Sequence, residues 1–480
     1  MLEQRIARRS PLRVCDCRNE RLPGARTCPA TTPQHDDAEH ERAAREGAED
    51  DDRNRGPRTL ALAHRCLARS RAALPHVAAP ATQFFRARLC APMGHHYLIL
   101  GAGRQGVAAA YDFAMRGDAE LVRLADSDEK VAERAAKRLK KLAKGSHCEF
   151  EPVRCNVEKK KHVRAALKGC AVALSAAPYR YNAQLAEWAI ESKCSFLDLG
   201  GNTDVVRAEL ALHKQAKKAG VSIVPDCGLA PGLGNHLAAH GVASMDAPRE
   251  VHVRCGGLPE RPVGPLAYKL VFNFYGLWNE YRGEGEFLRG GRKTNVPTLS
   301  ELEAFDSPQL GKLEACVTSG GTSTCPDTWK GVLDTFDYKT LRYPGHWEKI
   351  RTLFELGFMD ERIETRDGKE LAPVKITQRL FEQRLDFPDV RDVVVLRVTV
   401  SGTHAGRPRT LVYDLFDRHD EATGFTAMER TTAFPAALVG HFQARGLIAP
   451  GARPLELSVP AQQYVDELAR HDIKIERRSQ

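Results

Sequence analysis

Gly101, Gly103 and Gly106 follow the apolar run 97–100 at the spacing G-x-G-x-x-G. In a strand–turn–helix unit the first glycine permits the tight turn and the second lets the backbone approach a pyrophosphate. The third allows the helix to pack closely on the strand. Arg104 and Gln105 open that helix, whose free amides carry partial positive charge suited to phosphate. Asp126 ends a second apolar stretch, 25 residues past Gly101. A carboxylate at that place accepts hydrogen bonds from the adenosine ribose and repels a 2′-phosphate. The expected cofactor is therefore NAD, with NADP less favoured, although Arg123 and Lys130 stand nearby; a surface aspartate at a strand end is the plain alternative.

Further chemistry-bearing groups lie downstream. Asp226 follows the run "SIV" directly and can hold or deprotonate an ammonium, or simply cap a turn. "TSGGTST" (318–324) offers hydroxyls and backbone amides around Ser319, Gly320 and Thr322, suited to a carboxylate as an anion nest or to an ordinary glycine turn. Lys339, Arg342 and His346 lie within eight residues. Arg342 is the natural bidentate partner of a carboxylate, and His346 titrates nearest neutrality, which suits proton transfer. Lys339 serves as a base only if burial or neighbouring charge lowers its pKa. Each of the three also has an ordinary structural reading.

These groups need a frame. Strand-like runs at 97–100, 119–128, 170–178, 194–201 and 220–232 alternate with helix-patterned stretches, the cadence of a doubly wound parallel sheet. Ligands of such sheets collect at the carboxyl ends of the strands. Ala176, Ala177 and Pro178 sit at one such end, Asp198, Gly200 and Gly201 at a second, and Asp226, Cys227 and Gly228 at a third. The expected fold class is α/β: a doubly wound nucleotide-binding domain over 93–230, completed by 426–480, with a second α/β domain over 231–425.

The formal charge of +9 is unevenly placed. Residues 1–92 hold 17 Arg, no Lys and 12 acidic residues, which leaves +4 for the rest. No basic cluster with interleaved aromatics marks a nucleic-acid surface, and no run of eighteen apolar residues marks a membrane span. The acidic run 49–52 speaks against a transit peptide. The front segment is expected to be a disordered extension or a misassigned start, with the working protein beginning near Met93. Thirteen cysteines without regular spacing favour reduced thiols in a cytoplasm over a disulfide framework. No HExxH, cysteine pair or acidic cluster suggests a metal.

From about residue 93 onward the sequence resembles the saccharopine dehydrogenase-like family, most nearly its lysine 6-dehydrogenase branch. The resemblance rests on "LILGAGRQG", "FLDLGGNTD", "IVPDCGLAPGLGN", "LEACVTSGGTSTCP", "YKTLRYPGHWEKI" and "TAMERTTAFPAA". It implies a Rossmann domain followed by a domain carrying the substrate and the contacts of a homodimer or larger oligomer. The implied reaction is NAD-dependent oxidative deamination of the lysine ε-amino group. In that setting Asp226, Lys339 and His346 are the candidates for proton transfer. Arg342, Gly228 and the 318–324 loop are candidates for holding the amino acid. A saccharopine reductase, a carboxynorspermidine-type dehydrogenase and a non-catalytic dinucleotide sensor are the alternatives.

Overall fold

Tyr97, Leu98, Ile99 and Leu100 are fully buried and form the heart of strand β1 (His95–Leu100). A strand buried on both faces reads as a continuous apolar run. In the computed structural model, which describes residues 94–480, β1 lies inside a seven-stranded parallel sheet. The sheet also holds β2 (Ala119–Asp126), β3 (Glu149–Arg154), β4 (Val172–Ser175), β5 (Ser195–Asp198) and β6 (Ser222–Val224), in the order β3-β2-β1-β4-β5-β6. That is the Rossmann order, with the switch point between β1 and β4. The expectations for residues 1–92 lie outside the described residues.

The second sheet is mixed. It uses β7 (Ala247–Pro259), β8 (Glu284–Arg289), β9 (Arg292–Pro297), β10 (Glu303–Ser307), β11 (Gly311–Val317) and β12 (Thr335–Arg342). A two-stranded hairpin follows, β13 (Ile363–Glu364) with β14 (Glu370–Leu371). The long pair β15 (Asp392–His404) and β16 (Arg407–Arg418) then returns to the sheet against β7. The main path runs β10-β11-β12-β7-β15-β16-β18, and only β12 and β7 are parallel neighbours. The closing strand β18 is Glu476–Ser479, while β17 (Gly451–Ala452) extends the first sheet beside β6. The C-terminal segment thus serves both sheets, where the sequence suggested the first alone.

The helix Ala427–Ala444 explains how the segment gets back. Thr426 and Glu429 form a capping box at its start. Its small residues allow close approach: a side chain at Gly440 would overlap Phe113 of the helix Arg104–Arg116. Among the described residues no helix is long and apolar enough to cross a membrane, and all eight described cysteines are free.

Candidate active site

The glycine turn follows the geometry its spacing demands. Gly101 takes φ +100°, and a Cβ there would stand 2.8 Å from the carbonyl oxygen of Ala176. A Cβ on Gly106 would overlap Gly101 O and press on Ile99, so helix and strand touch backbone to backbone. Gly103 is different. A Cβ there would meet nothing within 4 Å, which leaves open room at the helix N-terminus where a pyrophosphate fits. Asp126 reaches the turn, with Oδ2 accepting from Ala102 N at 3.1 Å and Oδ1 from Asp128 N at 3.0 Å. Ala176, Ala177 and Pro178 cross over from the end of β4, where Ala176 N donates to Leu100 O. The side chains of Arg104 and Gln105 turn elsewhere. Arg104 Nε bonds Glu429 at 2.6 Å and Gln105 Nε2 bonds Met428 O at 3.2 Å. These side chains fasten the helix Ala427–Ala444.

Beside this turn, three buried carboxyl groups converge at the ends of β5 and β6. Asp198 Oδ1 accepts from Gly200 N at 2.6 Å and from Asp226 N at 3.3 Å. Asp198 Oδ2, both oxygens of Glu209 and Asp226 Oδ1 have no hydrogen-bond donor. Burial pushes all three carboxyl groups above the usual range, and the proximity of Asp198 adds to the rise at Glu209 and Asp226. Three carboxyl groups so placed favour the protonated form more than free ones do. Asp198, read from sequence as a cofactor contact, is fully buried and pins the loop instead. Gly200 (φ +78°) leaves room for Asp226, while Gly228 is packed against Leu199 O and Pro231 O. Asp226 itself adopts φ +58° and accepts a hydrogen bond from Ser323 Oγ of the second domain.

This trio sets a pH dependence. A carboxyl whose folded pKa is raised favours the fold below its unfolded value, near 4.3 for Glu. That contribution is lost as pH rises toward the folded pKa, at up to roughly 1.4 kcal/mol per unit. The trio's own contribution thus falls as pH rises from 5 to 8, and Glu209→Gln, permanently neutral, is expected to gain stability relative to the wild type over that range. Urea midpoints at the two pH values check this. An unchanged slope in the variant means that Glu209 is ionised in the fold.

The 318–324 loop faces Asp226 through Ser323. Ser319 Oγ donates to Asn279 O at 2.7 Å and Thr322 Oγ1 to Glu286 O at 2.8 Å. Those hydroxyls are engaged, contrary to the role expected of them. Gly320 (φ +82°) borders open space, and the amides of Gly320, Gly321 and Thr322 find no acceptor among the described residues. The backbone, not the hydroxyls, can take an anion.

Strand β12 divides the remaining candidates. Side chains alternate along a strand, so Lys339 and Arg342 point to opposite faces. Lys339 Nζ bonds Glu301 O at 2.7 Å and Glu303 Oε2 at 2.8 Å, alongside the Arg254–Asp337 ion pair. Its amine is engaged there, on the opposite face of the strand from Arg342. Arg342 is 1% exposed, lies against the rings of Tyr268, Tyr281 and Trp347, and donates through Nε to Tyr281 Oη at 2.8 Å. Its Nη2 stands 3.7 Å from Glu280. His346 is also sealed, with Nε2 3.1 Å from Tyr281 Oη and Nδ1 2.9 Å from Leu266 O. Burial and the Arg342 charge bring its pKa down to about 3. Tyr281 accepts from Arg342 and donates to His346, whose Nδ1–H donates a hydrogen bond to the Leu266 carbonyl. Both residues position Tyr281, where sequence suggested a carboxylate receptor and a proton carrier.

Sequence reasoning missed Asn279, whose Nδ2 bonds Gly201 O at 2.6 Å and whose Oδ1 lies 3.4 Å from Tyr179 Oη. It ties the second domain to the Rossmann loops. It missed Ser323 and Glu209 as well. Ser323 belongs to the quoted glycine loop, but Glu209 sits in a helix-patterned stretch with no local mark.

A Rossmann sheet with an open glycine cradle, facing a mixed-sheet domain across the Asp226–Ser323 contact, defines a two-domain dinucleotide-binding protein. The family model "Saccharopine dehydrogenase NADP binding domain" matches residues 97–224, and "Saccharopine dehydrogenase C-terminal domain" matches residues 228–473. The chain belongs to the saccharopine dehydrogenase family. A saccharopine dehydrogenase [NADP(+), L-glutamate-forming] of Pyricularia oryzae is 27% identical over 291 residues, 57% of this chain and 62% of that protein. An alpha-aminoadipic semialdehyde synthase of Arabidopsis thaliana is 27% identical over 49% of this chain and 24% of that protein. The chain therefore spans less than two thirds of these relatives. Apo saccharopine dehydrogenase (L-Glu forming) from Saccharomyces cerevisiae shares the fold at a TM-score of 0.64 and 19% identity, over 81% of this chain and all of the other.

Proposed function

We propose that this chain is a nicotinamide-dinucleotide-dependent oxidoreductase of an amino acid C–N bond, and that it oxidatively deaminates the ε-amino group of L-lysine. The products are allysine, which cyclises to piperideine-6-carboxylate, ammonia and the reduced cofactor. The observation that carries the reading is the open space at Gly103 on the sheet edge that also bears Asp226 and its contact to the 318–324 loop. The dinucleotide supplies a hydride acceptor. The glycine turn and the helix start at Arg104 would hold its phosphates, and Asp126 its ribose. Asp226, with one oxygen free of donors, would hold the amine or take its proton, and the amides of 320–322 would hold the α-carboxylate.

The relatives favour a second reading, saccharopine as substrate. That molecule carries more carboxylates and calls for further receptors. Arg254 is turned to Glu303 and Asp337, Arg282 stacks on Trp278 and pairs with Glu361, and Arg342 is enclosed with Glu280 and Tyr281. Arginines so engaged favour the smaller substrate. A panel of L-lysine, saccharopine and related amines with both cofactors decides: reduction of cofactor by lysine is expected, and turnover of saccharopine alone would replace the first reading.

Within that reading NAD is proposed over NADP because of Asp126, although the family model and the Pyricularia relative are named for NADP. Asp126→Ser is expected to lower the NAD-to-NADP preference about tenfold, since one charge-assisted hydrogen bond is worth roughly 1.5 kcal/mol or more. An unchanged ratio in steady-state kinetics would place the ribose elsewhere. We also propose a homodimer or larger assembly acting on a small molecule in the cytoplasm. Exposed Leu356, Phe358, Ile376 and Leu380 support the assembly; Thr377 Oγ1 bonds Phe358 O, which brings their segments together. Light scattering on the full chain reads the mass.

A further inference from the structure

We infer that Asp112, His441 and His471 form a divalent metal site of the zinc class, which fastens the C-terminal arm to the Rossmann helix Arg104–Arg116. The three side chains come from that helix, from the helix Ala427–Ala444 and from the short turn Ala469–His471. They are 0%, 1% and 3% exposed. One ligand atom from each lies within 4.8 Å of the others. His471 Nδ1 stands 2.7 Å from Asp112 Oδ1, and His441 Nε2 stands 3.9 Å from the same oxygen. A tetrahedral zinc with bonds near 2.0–2.1 Å sets its ligand atoms about 3.3 Å apart. Shifts of about half an ångström bring both distances to that value.

The second observation is the one that asks for an ion. An Asp–His hydrogen bond alone satisfies Asp112 and His471 and leaves His441 Nε2 buried without a partner, aimed at the pair. A buried polar atom without a partner is costly, and a metal bond relieves it. The other ring nitrogen is already oriented: His441 Nδ1 lies 3.2 Å from Tyr97 Oη, which itself reaches Asp118 at 3.4 Å. Such outer hydrogen bonds fix the ring of a ligating histidine. A side chain at Gly117 would overlap the His441 ring, so the backbone there also fixes its place. Arg116 lies on the far oxygen, Asp112 Oδ2, at 3.1 Å, and its other nitrogen bonds Asp472. Its charge is thus matched away from the converging atoms. Three protein ligands leave a fourth corner for water.

The test uses the full chain, stripped with EDTA and titrated with Co(II) and Zn(II). One equivalent of Co(II) is expected, with visible d–d absorption and no thiolate charge-transfer band, which separates this site from the thirteen cysteines. Zn(II) is expected to raise the thermal midpoint of the wild type and not that of His441→Ala. Should that variant fail to fold, His471→Gln, which keeps a donor toward Asp112, carries the comparison. Binding of less than about a fifth of an equivalent overturns the site, as do a thiolate band or a bound ion indifferent to the histidine substitutions.

Discussion

Gly103→Val is expected to lose nicotinamide dinucleotide binding by at least about 100-fold, some 2.8 kcal/mol, while its Tm stays within about 2 °C of wild type. The two outcomes separate because of where the new side chain goes. Gly103 has φ −77°, a backbone that valine adopts, and its missing Cβ faces open space. No packed atom is therefore displaced, while the branched side chain fills the cradle at the helix start. Gly106→Ala makes the contrast, since its Cβ would overlap Gly101 O and push Ile99, at a cost in stability as well as binding. Calorimetry with each cofactor, beside thermal unfolding of each variant, gives both numbers. Undiminished affinity in Gly103→Val would falsify the assignment of the phosphates to this turn.

Arg342→Met is expected to destabilise the protein by about 3 kcal/mol at pH 7, since removing one partner leaves a buried charge uncompensated. Glu280 is the charge left behind. Its side chain is 18% exposed, its Oε2 has no donor, and burial already pushes its pKa up against the pull of Arg342 and Thr340. Without the guanidinium that pKa rises further. A raised carboxyl pKa favours the fold at low pH and is lost as pH climbs, so the deficit shrinks toward pH 5. Arg342→Met with Glu280→Gln removes both charges and is expected to recover most of the loss. Urea unfolding of the single and double variants measures the coupling directly. A single variant within about 0.5 kcal/mol of wild type at pH 7 would mean that the pair is solvated.

The glycine turn was legible because its signal is local. The roles of Gly101, Gly103 and Gly106 depend on backbone conformations within six residues, and the apolar run before them can only be a strand buried on both faces. The alternation of strands and helices then dictated a doubly wound sheet, and the sheet its carboxyl edge. The second domain followed other rules. Lys339 and Arg342, three residues apart, diverge because side chains alternate on β12, and neither neighbour sheet nor face is written at that distance in sequence. His346 looked like a proton carrier by its type, and burial beside a guanidinium made it a neutral spacer. The Asp198–Glu209–Asp226 trio and the Asp112–His441–His471 cluster exist only after folding.

What the sequence determined by itself was the nucleotide-binding half, since conformational demands on neighbouring residues are met or broken locally. What only the tertiary structure decided was which polar groups share a buried space and which are neutralised by a partner. Desolvation and pairing depend on residues brought together from distant parts of the chain, and those two effects raise the Asp226 carboxyl pKa and lower that of His346.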